Sequence, residues 1–461
     1  MSSCVEAILI GAGNRGAQVY AQYALRHPDQ LRFIAVAEPD PVRRARFAIE
    51  HNINAENCYE SWQPLLERSQ FAEAALVCTQ DNEHTRPTLA ALNCGYHVLL
   101  EKPMATRAEE CRQLVEASEA ANRQLHICHV LRYTPHFRKL REIIRSGVIG
   151  QIIHVDHSEN IAWWHMAHSY VRGNWRNSSE SSPMILAKCC HDFDILLWML
   201  DRRCLDLSSA GSLAHFRPEH APAQAAARCL DCQAAPNCPF DAAYIYLSMI
   251  PFWENYAVMA RGFNRLAVRT WLISPRLIQA AAKVYPRLRK LNDYRGWPLD
   301  VLCPDPSPEN IRAALESGPY GRCVYACDND VVDHQVVNMC FEDEITVTLT
   351  MQGFSHYEHR ATRIEGSHAL LTAEFGTGGS RIIVDEHRSE RRTVFDTSPQ
   401  NSTGHGGGDE GLVSAFISSL RGKNEQAVTT ARQSLESHLM AFAAERARLE
   451  KRTINGEEFL R

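Results

Sequence analysis

A short apolar run, Glu6-Ala-Ile-Leu-Ile, breaks into three spaced glycines, Gly11, Gly13 and Gly16, and a helical pattern follows at once. A strand that turns tightly into a helix leaves backbone N–H groups at the helix N-terminus. Those groups and the helix dipole attract a pyrophosphate. Gly11 permits the turn, Gly13 lets the backbone approach the phosphate, and Gly16 lets the helix pack close to the strand, with Asn14 and Arg15 filling the turn between them. A second apolar run, residues 31–37, ends in Glu38. An acid at this distance accepts hydrogen bonds from the ribose hydroxyls of NAD. A purely structural glycine turn is the competing reading, and the strand–turn–helix context argues against it.

Residues 1–130 alternate between apolar runs and helical patterns. Strands are expected at 5–10, 31–37, 74–79, 97–101 and 125–130, and helices at 14–27, 41–51, 83–94 and 107–121. Such alternation predicts a parallel sheet covered on both faces, an α/β Rossmann dinucleotide-binding domain. Ligands bind such sheets at the carboxyl ends of the strands. Two further loops therefore join the cofactor set: Thr79 to His84, with Thr79, Asn82 and His84, and Glu101-Lys102-Pro103.

Residues 131–461 make the second, substrate-binding domain, with a Cys-rich and helical insert at about 211–330. An amphipathic crossover helix runs to Gly147, and a strand follows at 152–158. The stretch from Trp163 to Trp175 is dense in aromatic, His and Arg side chains and has no clear period, which suits a loop that presents polar groups. A helix over 183–200 carries Lys188 and His191 at i, i+3, on one face. Strand alternation returns over 331–396, with Val347, Leu349 and Met351 on one face. A glycine-rich loop, 404–408, holds His405 as a minor pocket candidate. Helices at about 409–421 and 425–451 close the chain.

A net charge of −5 offers no footing for nucleic acid. No run of about 18 apolar residues exists, so no membrane span is expected. Met1 to Cys4 lack the basic start of a signal peptide, so a cytoplasmic location is the default. Sixteen cysteines in such a chain read as free thiols or metal ligands, not a disulfide framework. Cys229-x-x-Cys232 with Cys238 has the spacing of part of a structural zinc site. An iron–sulfur cluster or free thiols remain the alternatives. The helices between Arg261 and Lys290 read as an amphipathic pair with a solvated basic face, over the rival reading of a surface for an acidic partner or a membrane.

The glycine fingerprint, the Asp81-Asn82-Glu83-His84 loop and Glu101-Lys102-Pro103, in that order, resemble the Gfo/Idh/MocA family. The resemblance implies a Rossmann domain followed by an α/β domain with a large open, mostly antiparallel sheet, one face of which lines the substrate pocket and favours a homo-oligomer. It implies hydride transfer between a nicotinamide and a carbinol carbon of a sugar or cyclitol, with Lys102 at the active site. The family's second motif, Asp-x-Gly-x-His-x-x-Asp, is matched here by His191 and Asp194 only. Its first Asp place is Ala187 and its Gly place is Cys189, with Lys188 between them. The chain is thus similar to a divergent subgroup.

Oxidising a secondary alcohol needs a base for the hydroxyl proton, and a histidine titrates near the working pH. His191 and Lys102 are therefore assigned proton transfer and alkoxide stabilisation. Lys188 assists, or serves as base if burial lowers its pKa. His165, His168, Tyr170, Arg172 and Trp175, with Asp194 and His334, are the candidate substrate contacts. Glu38 favours NAD over a 2′-phosphate, while Arg43 and Arg44 leave NADP open. Three functions are compatible: an NAD(P)-dependent oxidoreductase; a redox-neutral NAD-dependent glycoside hydrolase or lyase; and a non-catalytic NAD-sensing regulator.

Overall fold

A computed structural model describes residues 4–376, 379–398, 405–422 and 429–460. Gly404, the His405 side chain and residues 425–428 lie outside the described residues. The first domain is built on strands β1 (Val5–Ile10), β2 (Leu31–Ala37), β3 (Cys58–Tyr59), β4 (Ala74–Val77), β5 (His97–Leu100) and β6 (Leu125–Ile127). They form one parallel sheet in the order β3-β2-β1-β4-β5-β6. Residues alternate across the sheet. Val5, Ala7 and Leu9 enter one core, and Ile8 and Ile10 enter the other. Burial on both faces explains why these strands read as unbroken apolar runs. The strand order reverses at β1 and β4, which opens a crevice at their carboxyl ends.

The expected boundary after residue 130 leaves out part of this domain. Helix Gly408–Leu420 returns to it, burying Leu412, Val413 and Phe416 among Val5, Leu9 and Phe33. Each such side chain contributes roughly 1.5–3 kcal/mol. The chain then runs along the free edge of β6. Ile127 N–H donates to Thr429 O (2.8 Å) and Thr429 Oγ1 donates to Ile127 O (2.6 Å), which covers an edge that would otherwise be open.

The second domain holds β7 (Ile152–Ala162), β8 (Cys204–Ser212), β9 (His334–Phe341), β10 (Thr346–Ser355), β11 (His359–Gly366), β12 (Ala369–Phe375), β13 (Arg381–Glu386), β14 (Arg392–Asp396) and β15 (Ile454–Asn455). Their order is β14-β13-β12-β11-β7-β10-β9-β8-β15. The pair β7–β10 is parallel and the other described pairs are antiparallel. Val347, Leu349 and Met351 are buried beneath helix Met184–Leu200, on which helix Ala431–Glu450 packs. Ser212 of β8 lies opposite His334 of β9, so the whole insert leaves and rejoins the sheet at one point.

Three buried histidines make the fold acid-sensitive. Burial pushes His126 down to about 4, and His136 and His438 down to about 3. Their folded values lie below the unfolded value near 6.5, so the folded state binds fewer protons. Their stabilising contribution is complete above about pH 6.5 and is lost as pH falls through that value toward about 4 and 3. Each is expected to cost about 2 kcal/mol at about pH 5. The thermal midpoint, followed by circular dichroism, should drop steeply between about pH 7 and 5; a flat profile would contradict it.

Candidate active site

The crevice is bounded by three turns at strand ends. Gly11 has φ +92°, and a Cβ there would lie 2.5 Å from Cys78 O. A Cβ on Gly16 would lie 2.2 Å from Gly11 O, so both glycines are required by the fold itself. Gly13 differs: its Cβ would meet no atom within 4 Å. That open space is what a bound pyrophosphate requires. Glu38 is buried at the end of β2, accepting from Ala12 N–H (2.7 Å) and Asp40 N–H (3.0 Å). A carboxylate keeps lone pairs for ribose hydroxyls after those two bonds.

The glycine turn is tied to the Glu101-Lys102-Pro103 turn. Arg15 Nε donates to Glu101 Oε1 (2.6 Å), and its Nη2 donates to Asp409 Oδ1 (2.8 Å) and to the Tyr20 hydroxyl. Tyr20 in turn donates to Glu101 (2.8 Å). Burial raises the Glu101 carboxyl, but Arg15 and Lys102 beside it outweigh burial and hold it below the usual range. The Arg15 side chain therefore serves these carboxylates and not a phosphate. His84 likewise faces Pro103 O (2.6 Å) and Thr79 O (3.2 Å), clamping two of the turns together. Thr79 Oγ1 donates to Glu83 O (3.1 Å), and Asn82 is exposed at the rim.

The opposite wall is helix Met184–Leu200, which is buried along nearly its whole length and still carries four polar side chains that face neighbouring elements. Lys102 Nζ donates to Ala187 O (2.9 Å), one turn before His191. His191 Nδ1 meets His129 Nδ1 at 3.4 Å. Burial, and then Arg132 and Lys102, hold His129 well below the usual histidine range, so it is neutral. Sequence reasoning missed His129. Its only signal was a histidine at the carboxyl end of β6, where site residues gather.

Lys188 turns the other way. Its Nζ lies 3.0 Å from Glu159 and 3.9 Å from Glu358. Burial lowers its pKa, but the two carboxylates outweigh burial and push it up. The expectation that Lys188 serves as a base is corrected: it stays charged. Arg360 joins Glu159 (3.0 Å) to Asp192 (2.6 Å), which also receives His157 Nε2 (2.9 Å). Asp194 is fully buried in a bidentate pair with Arg132 (2.7 and 2.6 Å), so its assignment as a substrate contact is corrected too.

Residues 163–175 divide into two groups. His165 pairs with Glu358, and Trp175 Nε1–H donates to the buried Asp81 (2.9 Å), close to the cofactor turns. Tyr170 is buried 6.0 Å from the Trp175 ring. His168 and Arg172, by contrast, are consumed by the insert. His168 faces the Tyr246 hydroxyl (2.9 Å) and stacks on Tyr320, and burial holds it neutral. Arg172 donates to Arg322 O (2.8 Å) and Phe240 O (2.7 Å). Both are packing residues and not substrate contacts. His334 opens β9, half exposed beside Asp333 (2.8 Å), on the sheet edge where the insert rejoins.

The zinc expectation is also corrected. Cys229, Cys232, Cys238 and Cys323 line one small cavity, yet all are free thiols. The Arg172 guanidinium donates to Cys229 Sγ (3.3 Å). Among the described residues no group of His, Cys, Asp and Glu has metal-holding geometry. The insert does something else at the crevice. Asp300, Val301 and Pro304 face Gly13, Asn14, Gln18, Val42 and Arg43 across a narrow cleft of about 30 Å³. The Asp300 carboxyl faces Asn14 in that cleft, and its Oδ1 is buried with no hydrogen-bond partner.

Fold and crevice together define a two-domain, dinucleotide-binding α/β protein with its candidate chemistry between the domains. Residues 5–129 match the oxidoreductase family profile GFO/IDH/MocA, NAD-binding Rossmann fold, and residues 137–230 match the GFO/IDH/MocA C-terminal domain. Over these two stretches the chain is similar to this family. An inositol 2-dehydrogenase of Pseudomonas savastanoi pv. phaseolicola is 31% identical over 36% of this chain and 46% of that protein. The chain spans about half the length of the curated relatives it matches. The fold is shared with an inositol dehydrogenase homologue from Azotobacter vinelandii complexed with NAD+ (TM-score 0.63, 15% identity, 99% of this chain and 98% of that one). It is also shared with an aldose–aldose oxidoreductase from Caulobacter crescentus (TM-score 0.63, 12% identity, 98% and 99%).

Lys188→Met leaves Glu159 and Glu358 short of a cation inside the protein. Breaking a buried pair this way is expected to cost about 3 kcal/mol. Chemical denaturation of the variant measures the loss, and wild-type stability would refute the pairing.

Proposed function

We propose that the protein transfers a hydride between NAD and a secondary alcohol carbon of a sugar or cyclitol, with Lys102 and His191 handling the hydroxyl. The supporting observation is the approach of Lys102 Nζ to Ala187 O, which joins the first domain's Glu-Lys-Pro turn to the second domain's helix one turn before His191. NAD, when bound, supplies the hydride acceptor or donor at its nicotinamide. The residues here must hold the alcohol and move its proton. His191 exchanges that proton through Nε2, the nitrogen not turned toward His129. As an imidazolium it donates from Nδ1 to the neutral His129, which orients the ring. His129 thereby takes the place of the aspartate that Ala187 replaces. Lys102, a compact cation, stabilises the alkoxide. Glu38 favours NAD by repelling a 2′-phosphate, and Asp300 adds a second carboxylate on the adenosine side.

A redox-neutral variant of this chemistry, cleaving a glycoside while NAD stays bound, is favoured by one observation. The insert covers the glycine turn, with Asp300, Val301 and Pro304 facing Gly13 and Asn14 across a narrow cleft, which opposes cofactor exchange.

Absorbance at 340 nm during incubation with NAD and a panel of sugars, cyclitols and glycosides distinguishes the two. NADH accumulation supports the oxidoreductase, aglycone release without NADH supports the redox-neutral cycle, and neither product from any of the panel overturns both. His191→Ala is expected to lower kcat by about 10²–10⁴ with NAD affinity unchanged. His129→Ala should lower kcat by about tenfold or more and shift the acidic limb of the pH profile, while His129→Gln, which keeps an acceptor, restores part of the rate. Asp300→Ala should weaken NAD by about tenfold, read by fluorescence titration.

A further inference from the structure

The outer part of the insert consists of helices Ile250–Met259, Gly262–Ile273 and Pro275–Ala281, followed by the turn Pro286–Leu288. One face packs inward through Ala267, Ile278, Ala282 and Leu288. The opposite face is not the polar, solvated one that the sequence suggests. Phe263, Leu266, Ile273, Leu277, Val284 and Tyr285 stand outward with exposures between 59% and 85%. Phe263, Leu266 and Ile273 follow helical spacing and form one stripe. Met259, 49% exposed, belongs to the same segment, and the other exposed large apolar residues come singly from other parts of the chain. Exposed apolar residues gathered in this way mark a docking site.

Charge identifies what it docks to. Residues 261–290 hold eight Arg and Lys and no Asp or Glu, in a chain whose net charge is −5. Arg261 pairs with Asp396, and no acid among the described residues comes within ion-pair distance of Arg269, Arg276, Lys283, Arg287, Arg289 or Lys290. Large apolar side chains flanked by unneutralised cations are what a helix needs to lie in a bilayer surface. The rings and branches enter the acyl boundary, and the long basic stems reach back to headgroups. None of these helices has the roughly 20 residues that a crossing requires, and no described helix is long and apolar enough to span. A second copy of the chain fits poorly, because two such cationic faces repel.

We propose that residues 259–290 dock the protein in the plane of an anionic lipid surface. This interface is independent of the chemistry assigned to the crevice. Co-sedimentation of the whole protein with vesicles tests it, using phosphatidylcholine alone and an equal mixture with phosphatidylserine. Binding is expected with the mixture and not with phosphatidylcholine alone. Each cation removed, as in Arg269→Gln or Lys283→Gln, should lower it about fivefold. The triple change Phe263→Ser, Ile273→Ser and Leu277→Ser should lower it by at least about a hundredfold. The variant's circular dichroism and NAD binding report that it is folded. Absence of binding to the mixture, equal binding to both vesicles, or full binding by the folded triple variant would overturn the proposal. So would light scattering that shows an oligomer dissociated by Ile273→Ser, which would assign the face to a second copy.

Discussion

Charge inside helix Met184–Leu200 must be neutralised, and much of the molecule is arranged to do it. Asp192 and Asp194 are buried, and the Lys188 side chain is only 15% exposed, where an unpaired ion is untenable. Their partners come from separate elements: Glu159 and His157 from β7, Arg360 from β11, Glu358 from the loop before it, and Arg132 from the link after β6. The ion pairs thus lock the helix in rotation as well as position. With the charged residues committed elsewhere, His191 faces His129 across 3.4 Å.

The same economy operates in the first domain. Arg15 sits inside the phosphate-binding turn by sequence, yet its guanidinium joins Glu101, Tyr20 and Asp409. The glycine turn, the Glu-Lys-Pro turn and the returning helix are held as one unit by a residue that the ligand need not touch. Cofactor recognition is left to backbone N–H groups, Gly13 and Glu38, which are rigid parts with little conformational freedom to lose on binding.

Local pattern made the first domain legible. Parallel strands buried on both faces leave unbroken apolar runs, and the glycine and acid spacing follows from backbone geometry that no tertiary contact alters. β1, β2 and the helix Pro41–His51 are found over the expected residues. The two-residue β3 was too short to leave a period. The site was legible in its turns and illegible in its directions. Spacing put Lys188 and His191 on one face, but could not reveal that Glu159 and Glu358 would draw Lys188 away. Nor could it reveal that His168 and Arg172 would be buried by an insert lying 70 to 150 residues further on. Asp194 matched a motif and then spent its charge on Arg132. Cys229, Cys232 and Cys238 had a metal's spacing, yet Cys229 accepts from Arg172 and no metal-holding group forms among the described residues. In each case a long-range countercharge or cover decided the outcome.

The return of Gly408–Leu420 to the first domain bears on the order in which the molecule is made. The glycine turn is synthesised well before the helix that covers it. Its Arg15 meets Asp409, 394 residues further on, and β1 and β2 gain the cover of Phe416 only once that helix has been made. The open edge of β6 likewise waits for Thr429. During translation the dinucleotide domain is therefore an unfinished sheet with an exposed apolar face until helix Gly408–Leu420 has been made. Synthesis of the second domain is in this sense a step in the assembly of the first.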